Sequence, residues 1–233
     1  MGRGAVAALW RYPVKSMRGE RLREAKLDER GVEGDRLYAV RDPDGKFGSG
    51  KHTRRFRRMD GLNRFGAEYV AEVPVLTLPD GVTVRGDDDA VHGLLAEHLA
   101  RPSVTLVKEA SIPHHDEAAV HLVTTSTLAW LRERAPGVTV DERRLRPNIL
   151  VDTGSAPGLA EEAWIGQVVR IGDVELEILR PAVRCVMVDL PYAGLAAAPG
   201  LFKIIATHND RRLGVHARVV RGGTVRVGDR VGR

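Results

Sequence analysis

Cys185 is the one cysteine in this 233-residue chain, and a thiolate can bind metals or attack electrophiles. It lies in the stretch RPAVRCVMVDL (residues 180–190), directly after Arg184 and before an apolar run. A nearby guanidinium favours the thiolate, which is the reactive form of the side chain. Free cysteines are also among the most buried residue types. The sequence therefore leaves two alternatives open, a packed apolar side chain or a reactive thiol.

Arg184 and Cys185 could serve one ligand only if the chain bends between them. In a regular strand Cys185 and Met187 share one face and Arg184 lies on the other. Pro181, just upstream, favours a bulge or a bend at this point. We therefore expect an irregular backbone here, with both side chains at one pocket.

Cations at strand ends indicate an anion-binding site. Lys15 and Ser16 follow the first strand in YPVKS, and Arg36 begins another in GDRLYAV, where a guanidinium could hold a phosphate bidentately. No glycine-rich loop precedes Lys15, so a nucleoside triphosphate is not expected. A solvated strand end for Lys15, and a local ion pair of Arg36 with Asp35 or Asp42, are the alternatives.

Arg146 and Asn148 flank Pro147 in RRLRPNILVD, ahead of an apolar strand. Proline fixes φ and lacks an N–H, so it stiffens the backbone at the strand entrance. Arg146 and Asn148 could then offer a charge and an amide to a heterocycle.

A histidine cluster and a basic segment have two interpretations each. In HHDEAAVH, a metal site would use His114, His115, Asp116 and His121, but the spacing matches no zinc signature, and an exposed loop leading into a strand is the default. The segment KHTRRFRRM (residues 51–59) is the most basic part of the chain. With one aromatic residue it is a poor base-stacking surface, so we favour a mobile loop that guards a pocket or meets an acidic partner over nucleic-acid binding.

The elements that must position these residues are mostly short strands. Composition is that of an ordinary soluble globular protein, with 25 glycines and few aromatics. We predict a mostly β (α+β) fold with β-barrel architecture, divided near residue 103 into regions 1–103 and 104–233. Expected helices cover residues 88–100, TSTLAWLRERA (capped by Thr125 or Ser126) and 199–206. RCVMVDL is predicted as a strand, and the chain is predicted to close as a hairpin around Gly222-Gly223.

The totals narrow the partners and the compartment. A net charge of +5 with a pI near 9.6 indicates an anionic binding partner, such as a phosphorylated cofactor, nucleic acid or an acidic protein. A single cysteine excludes an intrachain disulfide, a cysteine-based zinc site and a cysteine-bound iron–sulfur cluster. With neither a signal peptide nor a membrane span in the sequence, we expect a soluble, cytoplasmic protein.

An ordered set of segments resembles the MOSC family, the domain found at the C-terminus of molybdenum cofactor sulfurases. The segments are LWRYPVKS, GDRLYAV, HLVTTSTLAWL, RLRPNILVD, WIGQVVRIGDVELEI, RCVMVD and GVHARVVRGGTVRVGDRV. The chain is more similar to two-part members, in which an N-terminal β-barrel-like domain precedes the MOSC β-barrel with its few helices. The mitochondrial amidoxime-reducing component and its bacterial relatives form that group.

The resemblance implies a molybdenum cofactor (molybdopterin), with Cys185 as the catalytic residue and molybdenum ligand. The implied anion and pterin contacts are Lys15, Ser16, Arg36, Arg146, Asn148, Arg184 and, at a helix start, Ser126 and Thr127. The segment between Phe47 and Tyr69 departs from the reductases' pattern, and the chain has no pyridoxal-phosphate domain to abstract sulfur itself.

Two functional hypotheses follow from the resemblance. In the first, the protein is an oxidoreductase that reduces small N-hydroxylated or N-oxide-type substrates with electrons from a redox partner protein. In the second, it carries sulfur as a Cys185 persulfide supplied by a cysteine desulfurase, or delivers cofactor, without turnover of its own. Neither hypothesis requires a membrane or nucleic acid.

Overall fold

The computed structural model of the chain describes residues 4–115, 117–192 and 194–232. The strands in this part are β1 (Gly4–Arg11), β2 (Glu20–Leu22), β3 (Glu24–Asp28), β4 (Gly31–Val32), β5 (Tyr38–Arg41), β6 (Phe47–Ser49), β7 (Phe56–Arg58), β8 (Gly66–Val70), β9 (Val73–Thr77), β10 (Thr83–Arg85), β11 (Thr105–Lys108), β12 (Val120–Thr124), β13 (Ile149–Asp152), β14 (Val168–Ile171), β15 (Val174–Val183), β16 (Arg212–Arg221), β17 (Gly223–Arg226) and β18 (Arg230–Gly232). The α-helices are α1 (Ala90–His98), α2 (Thr125–Arg134) and α3 (Leu201–Asn209), and short 3₁₀ turns cover Leu62–Arg64, Glu142–Arg144, Ala160–Trp164 and Val186–Asp189.

A closed seven-stranded barrel dominates the fold, which confirms the predicted mostly β class. Its strand order is β13-β12-β16-β15-β14-β18-β1, and β1 closes the barrel by pairing antiparallel with β13. Strand β15 shows why the sequence folds this way, since Val174, Leu176 and Ile178 are buried while Glu175 and Glu177 alternate with them at the surface. The barrel core also includes Val6, Leu9, Leu122, Ile149, Val151, Val169, Val215 and Val231.

Smaller sheets extend the barrel. The order β11-β5-β6-β7 forms one sheet and β10-β9-β8 another, and α1 packs with them around a core that contains Phe65, Leu76 and Leu95. A third sheet has the order β17-β3-β4. Pairing crosses residue 103 in both directions, because β1 belongs to the barrel and β11 pairs with β5. The division into regions 1–103 and 104–233 stays a prediction.

Helices α2 and α3 pack on a separate apolar cluster beside the barrel. This cluster joins Leu131 of α2 and Leu201 and Ile205 of α3 to Val188 of the 3₁₀ turn Val186–Asp189. Packing on Val188 therefore fixes the turn that directly follows Cys185. No helix in the described part of the chain is long and apolar enough to cross a membrane.

Several local predictions are confirmed and two are wrong. Helices α1, α2 and α3 overlap the three predicted helices. RCVMVDL is not a strand, because Asp189 accepts hydrogen bonds from the backbone N–H groups of Gly200 (3.3 Å) and Phe202 (2.6 Å) and so turns the chain to the start of α3. The closing hairpin is also wrong, since β17 pairs with β3 and β18 pairs with β1 and β14.

Candidate functional site

A cleft of about 330 Å³ gathers most of the predicted site residues. Those that line it are Lys15, Ser16, Arg36, Arg146, Asn148, Arg184 and Cys185. They come from loops that follow β1, precede β5, precede β13 and follow β15. Segments far apart in the chain are thus brought together at one place.

The expected bend at Arg184 and Cys185 is confirmed. Pairing of β15 with β16 is irregular between Pro181 and Val183, and the strand ends at Val183. The Arg184 N–H donates to the Arg211 carbonyl (2.6 Å), and Cys185 begins the 3₁₀ turn that follows. Both side chains line the cleft, and Cys185 is exposed. The alternative of a packed, buried thiol is wrong.

Tyr12 holds two of the cleft arginines in place. The guanidinium carbons of Arg36 and Arg146 lie over its buried ring, 4.8 and 4.2 Å from the centroid. The Tyr12 hydroxyl donates to the Pro147 carbonyl (3.1 Å), which ties the ring to the loop that carries Arg146. Cation–π contact favours a guanidinium at such a position. Nothing in the sequence distinguishes Tyr12 from an ordinary core aromatic, and sequence reasoning missed it.

Asp35 holds Tyr12 and Arg36 in position. It is fully buried, accepts a hydrogen bond from the Tyr12 N–H (2.8 Å) and pairs with the Arg36 guanidinium. Burial alone would raise the pKa of Asp35, but Arg36 and His115 outweigh it and lower that pKa to about 2. The predicted alternative of a local ion pair therefore coexists with a place for Arg36 in the cleft.

Three of the predicted site residues in the cleft have left-handed backbone conformations. Their φ angles are 67° for Ser16, 51° for Arg36 and 55° for Arg146. Each such conformation costs a residue with a Cβ about 1–2 kcal/mol. Strain of this kind persists where surrounding bonds over-determine the backbone, and it is concentrated at binding and catalytic sites.

His121 connects Arg146 to Arg184. Its Nδ1 lies 3.3 Å from the Arg146 carbonyl, which can only accept, so Nδ1 carries the proton. Burial, followed by the nearby Arg184 and His216, holds the pKa of His121 well below its usual range. In the neutral ring Nε2 is then an acceptor, and it lies 3.5 Å from Nη1 of Arg184.

Two guanidinium nitrogens at the cleft are left without partners. Among the described residues, Arg146 Nη2 and Arg184 Nε are buried and have no hydrogen-bond partner. Burial lowers the pKa of Arg184 to about 10, so its guanidinium remains charged at neutral pH. A buried unsatisfied donor costs about 1–3 kcal/mol, and more when it is charged. An anion in the cleft would remove that cost, so the lining fits a phosphorylated or otherwise anionic ligand.

Lys15, Ser16 and Asn148 are partly used by the protein itself. Lys15 is buried, donates to the His114 carbonyl (2.9 Å) and lies 4.4 Å from the Phe56 ring centroid. The Ser16 hydroxyl donates to the Gly48 carbonyl (3.3 Å). Asn148 accepts from the His121 N–H (3.1 Å), so it also ties β12 to the loop before β13.

Ser126 and Thr127 do not line the cleft, which corrects their predicted position. Both are buried near the start of α2, where the N-cap is Thr124 rather than the predicted Thr125 or Ser126, and the Thr124 hydroxyl accepts from the Thr127 N–H (3.2 Å). The Thr124 and Thr127 hydroxyls both donate to Oε2 of Glu161, at 2.5 and 2.6 Å. Glu161 is fully buried, so the hydroxyls of Thr124 and Thr127 point into the protein interior, and burial raises the Glu161 pKa.

The histidine cluster is not a metal site in the described residues. No group of three or more His, Cys, Asp or Glu side chains there could hold a metal, and Asp116 lies outside the described residues. The expected exposed loop is also wrong for His114 and His121, which are 1% and 6% exposed. Their rings pack inside the fold instead.

Two arginines of the basic segment 51–58 pair with neighbouring carboxylates. Arg57 pairs with Asp42 (2.7 Å) and Asp44, and Arg58 pairs with Asp60 (2.8 Å). Gly50, just before the segment, lies against the Met187 side chain, since a Cβ there would be 2.2 Å from its sulfur. Asn63 donates to the Pro191 carbonyl (2.6 Å). Lys51 at the start of the segment lines the cleft, and residues on either side of the segment contact the chain that follows Cys185.

Comparison with known families decides the family. The MOSC domain profile matches residues 82–232, and the profile of the MOSC N-terminal beta barrel domain matches residues 3–124. The chain belongs to the MOSC family. MOSC domains are associated with molybdenum-cofactor binding, and the family includes molybdenum-cofactor-associated enzymes.

Solved structures that are similar to this chain have low sequence identity to it. The YUAD protein from Bacillus subtilis is 14% identical, with a TM-score of 0.53 over 98% of this chain and 93% of that one. A hypothetical protein is 10% identical, with a TM-score of 0.48 over 98% of this chain and 67% of that one. YiiM from Geobacillus stearothermophilus is 16% identical, with a TM-score of 0.38 over 49% and 53%. No curated protein sequence matches significantly.

Proposed function

We propose that the cleft binds the molybdenum cofactor, with Cys185 as the molybdenum ligand, and that the protein reduces N-hydroxylated or N-oxide-type substrates. The observation that carries the proposal is the meeting of an exposed thiol with buried, unsatisfied guanidinium donors of Arg146 and Arg184 in one cleft. Thiolate is a soft ligand and guanidinium is suited to phosphate, so the two chemistries fit the two ends of a metal-bearing phosphorylated pterin.

The lining residues have distinct roles in this proposal. Arg146 and Arg184 would hold the anionic part of the cofactor, and Lys15 and Arg36 would add positive charge to the same cleft. Tyr12, Asp35 and His121 position these cations.

When bound, the cofactor supplies two-electron chemistry at the N–O bond. In the overall reaction the N–OH compound takes up two electrons and two protons, and an N–H compound and water leave. The single cysteine excludes a cysteine-bound cluster, so a redox partner protein supplies the electrons. An exposed free thiol is suited to a reducing compartment, and we propose a cytoplasmic location on that ground.

The exposure of Cys185 also favours a second candidate function. An accessible thiol can accept sulfur from a cysteine desulfurase and carry it as a persulfide. In that case Cys185 would bear a stable added sulfur, and the protein would show no reduction of N–O compounds.

Metal and pterin analysis of protein made in a cofactor-competent host tests the proposal. We expect stoichiometric molybdenum and pterin in the wild type, loss of molybdenum in Cys185→Ser and loss of both in Arg146→Met. Arg58→Gln is the matched control, because its ion pair with Asp60 lies outside the cleft lining. Absence of molybdenum from the wild type, or unchanged molybdenum in Cys185→Ser, would refute the proposal. Mass spectrometry after incubation with a desulfurase distinguishes the carrier.

A further inference from the structure

We infer that the mouth of the cleft selects substrates that carry a carboxylate beside an apolar body, and that Arg211 binds the carboxylate. The inference rests on the proposed function and names its substrate class. It depends on Arg211, Val183 and Val186, none of which the predicted cofactor site includes.

Arg211 is an exposed cation next to the proposed metal ligand. It lines the cleft, and its carbonyl accepts from the Arg184 N–H at 2.6 Å, one residue before Cys185. Its side chain is exposed. Within the part of the chain that the structure describes, its guanidinium makes neither an ion pair nor a hydrogen bond. The five donors of this guanidinium are therefore available to a ligand in the cleft.

The cleft offers Arg211 no counter-charge. Glu117 is the one carboxylate among its described lining residues, and it pairs with Arg180 at 3.3 Å. The other charged lining residues are cations, from Lys15 and Lys51 to Arg184. A cleft lined by one sign of charge concentrates ligands of the opposite sign. Anionic substrates are accordingly favoured at this mouth.

The backbone at Arg211 is held in an unusual conformation. Asp210 and Arg211 both have left-handed φ angles, 47° and 65°, in the turn that joins α3 to β16. Glycine is the residue that normally occupies such positions, because a Cβ makes them costly. A long cation at this point is consistent with a binding role that repays the strain.

An apolar surface lies beside this cation. Val183 and Val186 flank Cys185 and Arg184, and their side chains are 50% and 46% exposed. Val183 and Met187 line the cleft. Because Val183 pairs with Arg212 in the sheet, the apolar surface and Arg211 lie on neighbouring strand ends. A substrate with an apolar body at the valines would place a terminal carboxylate within the region of Arg211.

The exposure of Arg211 favours the substrate over the cofactor phosphate as the source of the anion. The unsatisfied donors of Arg146 and Arg184 are buried in the cleft, whereas the Arg211 side chain is exposed at its edge. We therefore assign the cofactor phosphate to the buried donors and the substrate carboxylate to Arg211. The two sources predict different effects on pterin content when Arg211 is replaced.

Isothermal titration of the cofactor-loaded protein, with no electron donor present, measures binding without turnover. The probes are benzamidoxime and 4-carboxybenzamidoxime, which differ only in the carboxylate. We expect the wild type to bind the carboxylated probe about tenfold more tightly, as one charge-assisted hydrogen-bonded pair allows. Arg211→Gln should abolish this preference and leave molybdenum and pterin content unchanged. Arg211→Lys should retain part of it.

Arg221→Gln is the matched control, since it removes the same charge from an exposed arginine that pairs with Glu175 (2.7 Å) outside the cleft lining. It should keep the full preference. Equal affinity of the loaded wild type for both probes, or a preference that survives Arg211→Gln, would overturn the inference. Loss of pterin from Arg211→Gln would also overturn it, because Arg211 would then serve the cofactor phosphate. Absence of molybdenum and pterin from the wild type would overturn the proposed function as well.

Discussion

Replacement of Gly214 by alanine tests the packing between β12 and β16 behind the cleft. Gly214 has a φ of 77° inside β16. A Cβ at this position would lie 2.5 Å from His121 Nε2, 2.7 Å from the Leu122 carbonyl oxygen and 2.8 Å from Val123 Cγ2. One of these atoms belongs to the backbone of the neighbouring strand, so the overlap cannot be relieved by a side-chain rotation alone.

The expected cost has two parts. The left-handed conformation costs alanine about 1–2 kcal/mol relative to glycine. Overlap in a packed region adds about 1–3 kcal/mol. Gly214→Ala should therefore lower the free energy of unfolding by about 2–5 kcal/mol, and Tm by about 4–20 °C for a chain of this size.

Gly137→Ala is the control that isolates the first part. Its φ is 82°, and a Cβ there would have nothing within 4 Å. Both variants change the entropy of the unfolded chain equally, so that contribution cancels in the comparison. Urea unfolding of both proteins gives the difference directly. If Gly214→Ala costs no more than Gly137→Ala within about 0.5 kcal/mol, the reasoning about strand contact is wrong.

Three further replacements probe buried polar groups. The pKa of Asp35 is lowered from 3.8 to about 2, so its ionised form stabilises the folded protein above pH 4, and this stabilisation is lost as the pH falls towards 2. We expect Asp35→Asn to lack this pH-dependent stabilisation, about 2 kcal/mol, when urea unfolding is measured as a function of pH. Burial raises the pKa of Glu161, so the contribution of this side chain to stability falls as the pH rises above 4.5. At pH 8, the free energy of unfolding of Glu161→Gln should therefore be at least equal to that of the wild type. Arg144 donates to the carbonyls of Thr139 (3.0 Å), Leu190 (2.9 Å) and Ala196 (2.5 Å), so Arg144→Met should cost about 2–4 kcal/mol and speed proteolysis within residues 185–200.

Exposed residues supply the controls for these three variants. Asp44, Glu133 and Arg85 have side chains that are 69%, 73% and 53% exposed, so Asp44→Asn, Glu133→Gln and Arg85→Met should each change the free energy of unfolding by less than about 1 kcal/mol. If Asp35→Asn lost stability at low pH as the wild type does, Asp35 would not be the group responsible for that loss. A Glu161→Gln protein clearly less stable than wild type at pH 8 would show that the buried group is stabilising as an anion.

The sequence specified the strands and the bend better than their pairing. Alternation of valine and leucine with glutamate predicts β15, and Pro181 predicts the irregularity that brings Arg184 and Cys185 to one cleft. Closure of the barrel was not predictable residue by residue, because β1 pairs with β13 and β18 from distant parts of the chain.

Residues of the site that sequence reasoning missed or misplaced depend on three-dimensional contacts. Tyr12 looks like a core aromatic until two guanidinium groups are seen over its ring. Thr127 has the position of a cofactor-binding residue at a helix start, but Glu161, far along the chain, takes its hydroxyl. Left-handed conformations at Ser16 and Arg36 carry no sequence signal either, because both residue types usually have negative φ.

Because β1 closes the barrel, the barrel can be completed only after its late-translated strands have been made. The apolar strand β1 leaves the ribosome first, yet its partners β13 and β18 are translated much later. Until then only β2 can pair with β1, at Leu9–Arg11, and the rest of its edges are open to association with other chains. The cleft needs Lys15 and Arg36 from early segments and Cys185 and Arg211 from late ones. A ligand that spans it can therefore be captured only after nearly the whole chain has been made.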